Sequence, residues 1–252
     1  MLFRRTNPVS HRLARLAFYM ACAAAVVVAV SGPLHRYLGV DIDLALTVFR
    51  YGFYLAAASV ALALATIVPT RPGDRRRGFL AAVLALAVGV AAAWAPLTLL
   101  LRARQAPPIS DVSTDTSNPP PLVITLQLRQ ESRQGGDGSY PIANAALQRA
   151  AYPDIGTISL ALPPADAFKR VDAVAMALGW DVVARAPRDG RIEAIDTTTW
   201  FGLQDDVVVR IRPDGGGSKI DIRSKSRTGT SDLGANADRI RLFTEKLKAL
   251  TN

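Results

Sequence analysis

Three apolar stretches dominate the first hundred residues: about Leu13 to Val30, about Leu44 to Val68, and Phe79 to Leu101. A helix needs roughly 20 mostly apolar residues to cross the hydrocarbon core of a bilayer, and all three meet that requirement. A chain so built is expected to fold as a membrane-spanning part followed by something else. The middle stretch contains Arg50, which leaves Tyr51–Val68 free of charge. Flanked by Phe49, Tyr51 and Tyr54, Arg50 reads as an interfacial anchor whose long side chain snorkels outward. Asp41 and Asp43 are expected in the preceding loop. The spans hold no Asp, Glu, His, Asn or Gln that would mark a proton relay or ion path. Small residues, such as Ala56-Ala57-Ala58 and Ala91-Ala92-Ala93, allow close helix packing, and Cys22 reads as one more packing residue. Val30-Ser31-Gly32-Pro33 is a poor cleavage site, so the first stretch is expected to stay as a span rather than leave as a signal peptide.

Charge distribution sets the expected topology. Residues 1–104 carry 12 Lys/Arg against 3 Asp/Glu, whereas residues 105–252 carry 18 of each. The net charge of +9 therefore resides entirely in the apolar half. A nucleic-acid binder would place that excess on its folded domain, so nucleic acid is excluded as the expected partner. Basic loops favour the cytoplasmic side. Arg4, Arg5, Arg12 and Arg15 precede the first span, and Arg71, Arg75, Arg76 and Arg77 separate the second from the third. The first loop has only Arg36, with Asp41 and Asp43. The expectation is a multi-pass inner-membrane protein with its N-terminus inside and its C-terminal domain periplasmic. Arg102 and Arg104 oppose that orientation and are outnumbered.

The expected domains are a transmembrane region over 1–104, a Pro-rich extended linker over 105–123, and an exported α+β domain over 124–252. Five prolines among Ser, Thr and Asp make the linker non-helical. Gly135-Gly136-Asp137-Gly138 reads as a break, and Asn144–Ala151 as a short helix. Thr157–Leu162 alternates as a strand. Pro163-Pro164 opens a helix with Phe168, Val171, Val174, Ala175 and Leu178 on one face, closed by Gly179. Strands follow over Trp180–Ala186, Arg191–Trp200, Asp206–Arg212 and Ser218–Ser226, with Arg188-Asp189-Gly190 and Asp214-Gly215-Gly216-Gly217 as turns. A last helix runs from about Leu233 to Leu250, capped by Ser231 or Asp232. Consecutive strands imply a mostly antiparallel sheet of about five strands with two helices packed on one face. Val207, Val209, Ile211, Ile220 and Ile222 point to that face. Asp206, Arg210, Arg212, Asp221, Arg223 and Lys225 point to the other.

Several segments carry a family likeness. They are Ile109-Ser110-Asp111-Val112-Ser113-Thr114-Asp115, Ala151-Tyr152-Pro153-Asp154-Ile155, Gly190-Arg191-Ile192-Glu193-Ala194, Thr199-Trp200-Phe201, Asp205-Asp206-Val207-Val208-Val209-Arg210, and Arg223-Ser224-Lys225-Ser226-Arg227 followed by Asp232-Leu233-Gly234-Ala235-Asn236-Ala237. In combination they resemble the bacterial domain-of-unknown-function family 1499, over roughly residues 107–250. The resemblance implies no activity, since the family has none assigned. It implies attachment to a membrane segment, which this chain provides.

The basic strand is the most suggestive candidate site. Arg223, Lys225 and Arg227, with Arg210 and Arg212 on the neighbouring strand, form a cationic face near the start of the last helix. Arginine forks suit phosphate or carboxylate, and a free helix N-terminus favours an anion. One reading is therefore a site for an anionic envelope ligand, such as a lipid headgroup. The other is that these cations pair with Asp206, Asp221, Glu193 and Asp196 on neighbouring strands, each pair contributing ~0.2–1 kcal/mol. No metal is expected, because Asp205-Asp206, Asp154, Asp111 and Asp115 lack ligand spacing and read as turn caps. No cofactor is expected. The domain has neither His nor Cys, and Ser224 or Ser226 beside Lys225 would point to the opposite face of the strand. Trp200 and Phe201 read as core or rim aromatics. The expected function is non-catalytic: binding of an envelope component or a membrane protein partner near the lipid bilayer. The alternatives are an envelope-acting enzyme using carboxylates and arginines, or an assembly role in which the charged face is a protein interface.

Overall fold

The protein is described here by a computed structural model covering residues 8–70, 76–132 and 136–250. Arg4, Arg5, Arg71, Arg75 and Gly135, all used above, lie outside the described residues. Contacts divide the chain into two compact units: Met1–Leu101 with Trp200–Gly202, and Arg102–Thr199 with Leu203–Asn252.

The first unit contains three helices long and apolar enough to cross a membrane: α1 (Pro8–Leu38), α2 (Ile42–Ile67) and α3 (Arg76–Gln105). α1 and α3 run several residues beyond their apolar stretches at both ends, whereas α2 nearly coincides with its own. Asp43 falls in the first turn of α2 rather than in the loop, and Asp41 lies in the loop before it, as expected. Asp41 caps α2, its Oδ1 accepting from the Asp43 and Leu44 amides at 2.9 and 3.2 Å.

Small residues hold the three helices together at alternating steps of three and four. On α1 the buried positions include Ala14, Ala17, Ala21, Ala24, Val28 and Ser31. On α2 they are Ala45, Phe49, Gly52, Ala56, Ser59, Ala63 and Thr66. On α3 they are Gly78, Ala82, Ala85, Gly89, Ala92 and Pro96. Ala17, Ala21, Ala63 and Ala85 form one packed layer, and Ala24, Ala56 and Ala92 another. A spacing averaging 3.5 residues keeps one seam facing inward. Lipid gives no hydrophobic drive for helices to associate, so close backbone approach supplies the attraction. The seam hydroxyls of Ser31, Ser59 and Thr66 bond to carbonyls of their own helices.

The second unit is α+β. Its six strands are β1 (Asp111–Ser113), β2 (Ile158–Leu160), β3 (Asp181–Ala186), β4 (Arg191–Thr197), β5 (Gln204–Asp214) and β6 (Gly217–Ser226). All pairings are antiparallel, in the order β1-β6-β5-β4-β3. β2 lies along the same edge of β6 as β1, pairing with Ser218–Ile220 while β1 pairs with Arg223–Lys225. Two positions require glycine. Gly190 ends the 3-10 turn Pro187–Asp189 in the left-handed region, where a Cβ would strike the Ile211 carbonyl. Gly217 lets β2 approach closely, since a Cβ there would strike the Leu160 carbonyl.

Helices α6 (Pro164–Ala177) and α7 (Ala235–Ala249) cover the apolar face of the sheet. Val171, Val174, Ile240, Phe243 and Leu247 pack there against Ile192, Val207, Val209, Ile211, Ile220 and Ile222. Trp180 stacks on Phe243 with centroids 5.7 Å apart.

The other face is not open. Segments 109–132 and 136–151 cover it, and within them lie β1, α4 (Ile124–Glu131) and α5 (Ile142–Ala151). The stretch expected as a linker over 105–123 is therefore largely part of the fold. Ile109 and Val112 are buried in the core, and β1 extends the sheet. Proline did exclude helix from this stretch, but it permits an edge strand.

Candidate functional site

Beneath that cover, the charged face of the sheet is a buried network of ion pairs. Asp111 accepts from Arg223 twice, Nε to Oδ1 at 2.9 Å and Nη2 to Oδ2 at 2.8 Å, and from Lys225 Nζ at 2.9 Å. Asp206 accepts Arg227 on Oδ1, at 2.9 Å from Nε and 2.7 Å from Nη2, and Arg129 Nε of α4 on Oδ2 at 2.8 Å. Asp221 draws Arg210 and Arg212 onto Oδ2 at 3.0 and 2.7 Å, and Thr157 donates to Oδ1 at 2.6 Å. Asp115, on the cover, lies 3.1 Å from the same Arg210. Asp111, Asp206, Asp221, Glu193 and Arg223 are all buried. Burial on this scale is tolerated only with paired charges and satisfied donors. Arg223 accordingly also donates to the Pro120 and Gly138 carbonyls, and Lys225 to that of Ser139.

Glu193 has a different task. Its Oε2 accepts from the Val123 and Thr125 amides, both at 3.0 Å, and from the Thr125 hydroxyl at 2.8 Å. A strand side chain thus caps α4, which has no cap of its own.

On the helix side, Arg239 of α7 ties Asp196 to Asp205 and also donates to Ser224 Oγ and Asn236 Oδ1. Burial works against its charge, but Asp205 and Asp196 outweigh it and raise its pKa. Ser224 is itself buried and donates to Asn236, while Lys225 lies on the opposite face. The N-terminus of α7 is filled by the chain's own carboxylate. Asp232 Oδ1 accepts from the Gly234 amide at 2.9 Å and Oδ2 from the Asn236 amide at 2.8 Å. Burial and the nearby Asp205 push the Asp232 pKa up against those bonds.

The five cations expected to mark the site are thus brought together, each on a carboxylate. Arg223 and Lys225 share Asp111, Arg227 lies on Asp206, and Arg210 and Arg212 converge on Asp221 and Asp115. Among the described residues no three of His, Cys, Asp or Glu cluster as a metal would require.

Above Arg223 the cover leaves a cleft of about 400 Å³. Pro119, Pro121, Leu122, Leu126 and Ile142 supply apolar walls, and Thr116, Ser117 and Ser139 line it with hydroxyls. Tyr140 lies with its ring 5.7 Å from the Arg223 guanidinium and donates to Gln148 at 3.0 Å. Burial, reinforced by Asp111, raises the Tyr140 pKa to about 12. Asp137, at the rim, is held below the usual carboxylate range by hydrogen bonds from Ser139.

The family model for "Protein of unknown function (DUF1499)" matches residues 111–247. The chain belongs to this family. A comparison with curated proteins finds no match. The DUF1499 match begins at Asp111, the first residue of β1, and ends in α7. The cover and its cleft therefore lie within the DUF1499 domain. Sequence reading missed most of the cleft, whose walls come from the supposed linker, from α4 and from the segment before α5. The available signal was the isolated pair Ile109 and Val112, apolar residues in a stretch otherwise composed for solvent.

Proposed function

We propose that this DUF1499 protein is a membrane-anchored binding module rather than an enzyme, and that its ligand is taken by the cleft over Arg223. The cleft itself carries the reading: a concavity with apolar walls and a few hydroxyls, the usual composition of a ligand site. A ligand with an apolar portion would lie against Pro119, Pro121, Leu126 and Ile142. Its hydrogen-bonding groups would reach Thr116, Ser117 and Ser139. A bare anion is less suited, because it would have to displace Asp111 from Arg223. The one hydroxyl–carboxylate contact described in the cleft, Ser139 to Asp137, is a poor nucleophile–base pair, because the same hydrogen bonds hold the Asp137 carboxylate below its usual pKa range and so weaken it as a base. We further propose the inner membrane as the location, with the N-terminus inside and the domain in the periplasm, on the balance of basic loops. The ligand is then an envelope component.

A protein partner is the second reading. Helix α5 favours it, since it leaves two large apolar side chains exposed, Ile142 at 89% and Leu147, while the polar Gln148 is buried.

Two experiments test these readings on the full chain. Native mass spectrometry after mild extraction should retain a ligand that Ser117→Trp, which fills the cleft from its rim, removes. Equal retention by the variant would move binding elsewhere. In a Cys22→Ala background, Ile142→Cys should react with a membrane-impermeant maleimide from outside spheroplasts. Reaction only after lysis would reverse the topology.

A further inference from the structure

The hairpin tip between β4 and β5 has no role in the cleft, yet its chemistry is specific. The run Thr197-Thr198-Thr199-Trp200-Phe201-Gly202-Leu203 contains no charge. The tip is closed rather than loose: the Thr198 amide donates to the Leu203 carbonyl at 2.8 Å, and the Leu203 amide to Thr198 Oγ1 at 2.9 Å. That closure leaves Trp200 46% exposed, in a tip, Trp200–Gly202, that groups with the first unit rather than with the sheet that bears it. Among the described residues beyond 105, it is the one exposed aromatic side chain. Trp180, by contrast, is spent on the core. At the base of the hairpin stand two acids, Asp196 and Asp205, and Arg239 holds both. The tip therefore combines an amphipathic indole, no charge of its own, and flanking acids already neutralised.

We infer that Trp200 is a lipid contact, its indole seated at the membrane–water interface. Indole prefers that zone because its ring is apolar and its N–H still finds a polar acceptor. Neutralised acids remove the repulsion that a carboxylate pair would suffer near anionic headgroups. The three spans tether the hairpin to the bilayer, so a weak insertion is strengthened by effective concentration. The contact would fix the orientation of the DUF1499 domain on the membrane, whichever leaflet it faces.

The test uses the full chain in vesicles of phosphatidylcholine, either plain or brominated near the headgroup end of the acyl chain. Emission of the Trp200→Phe variant is subtracted from that of the unaltered protein. Trp94 and Trp180 are common to both, so the difference isolates Trp200. The expected result is a difference emission lost mostly in brominated lipid and insensitive to aqueous iodide. Quenching by iodide and not by bromine would overturn the proposal by placing the indole in water. Insensitivity to both would overturn it by placing the indole in protein. A nitroxide on Thr199→Cys, in a Cys22→Ala background, gives a second measurement: it should relax faster with oxygen than with a water-soluble nickel chelate.

Discussion

Asp111 reaches diagonally across the β1–β6 pairing to Arg223 through two parallel hydrogen bonds of 2.9 and 2.8 Å, with both side chains buried. One residue belongs to the segment that enters from the membrane side of the chain, and the other to the strand beside the centre of the sheet. Breaking such a pair leaves an uncompensated charge in a low dielectric, which costs about 3–5 kcal/mol. Asp111→Asn should therefore destabilise the domain by that amount. Replacing both, Asp111→Asn with Arg223→Met, should recover part of the loss, because no buried charge is stranded and Lys225 retains some access to water. The readout is the unfolding midpoint of the detergent-solubilised chain, followed by near-ultraviolet dichroism. If the double variant were worse than the sum of the singles, the pair would not be coupled in this way.

Glu193 links a strand to a helix 68–70 residues away in sequence. A carboxylate at a helix N-terminus satisfies orphan amides and opposes the positive end of the dipole. Glu193→Gln keeps an acceptor but loses the charge. It should cost about 1 kcal/mol and act locally. Hydrogen exchange should accelerate in α4 and stay unchanged in α7. Uniform acceleration would mean that Glu193 supports the whole sheet instead.

These two contacts also show what the sequence can reveal here. The spans, α6, α7 and strands β2 to β6 rest on local periodicity and local turn chemistry, so they were legible. Five strands and two helices on one face followed from the alternation of Val207, Val209 and Ile211 against Asp206, Arg210 and Arg212. The sixth strand and α4 did not follow. β1 is three residues long and is held by partners more than 100 positions away, and α4 is capped by Glu193 rather than by Val123 before it. Nothing local signals either. The same gap made the arginine-bearing face look open to a ligand. Its cover was written in a stretch whose prolines and serines are those of a spacer. Pairing with Asp206 and Asp221 was foreseeable from alternation on adjacent strands; pairing with Asp111 and Asp115 depended on that cover.

Asp232 gives the domain a defined pH response. Burial raises its folded pKa above the unfolded value of about 3.9. The contribution of such a group is fully present below the unfolded pKa and is lost as pH rises through the folded one. At neutral pH the buried carboxylate is therefore a cost relative to acid. Asp232→Asn removes that term and keeps an acceptor for the Gly234 amide. The stability of the unaltered protein relative to the variant should fall as pH rises from about 4 through the raised folded pKa. Asp154, whose pKa Arg241 lowers, works in the opposite sense, so Asp232→Asn is best compared in an Asp154→Asn background. A flat difference across that window would remove Asp232 from the response.

The small-residue seam of the spans predicts a sharp positional contrast. Ala56 lies in a layer with Ala24 and Ala92, whereas Ala58, two residues on, is exposed on the outer side of α2. Leucine at 56 must push backbones apart, and overpacking of a close-packed site costs about 1–3 kcal/mol. Leucine at 58 meets acyl chains, which accept it as readily as they accept alanine. Ala56→Leu should lower the temperature at which the detergent-solubilised chain aggregates, and Ala58→Leu should leave it unchanged. Equal sensitivity at both positions would mean that the outer face of α2 is also packed against protein, in the bilayer or in an oligomer.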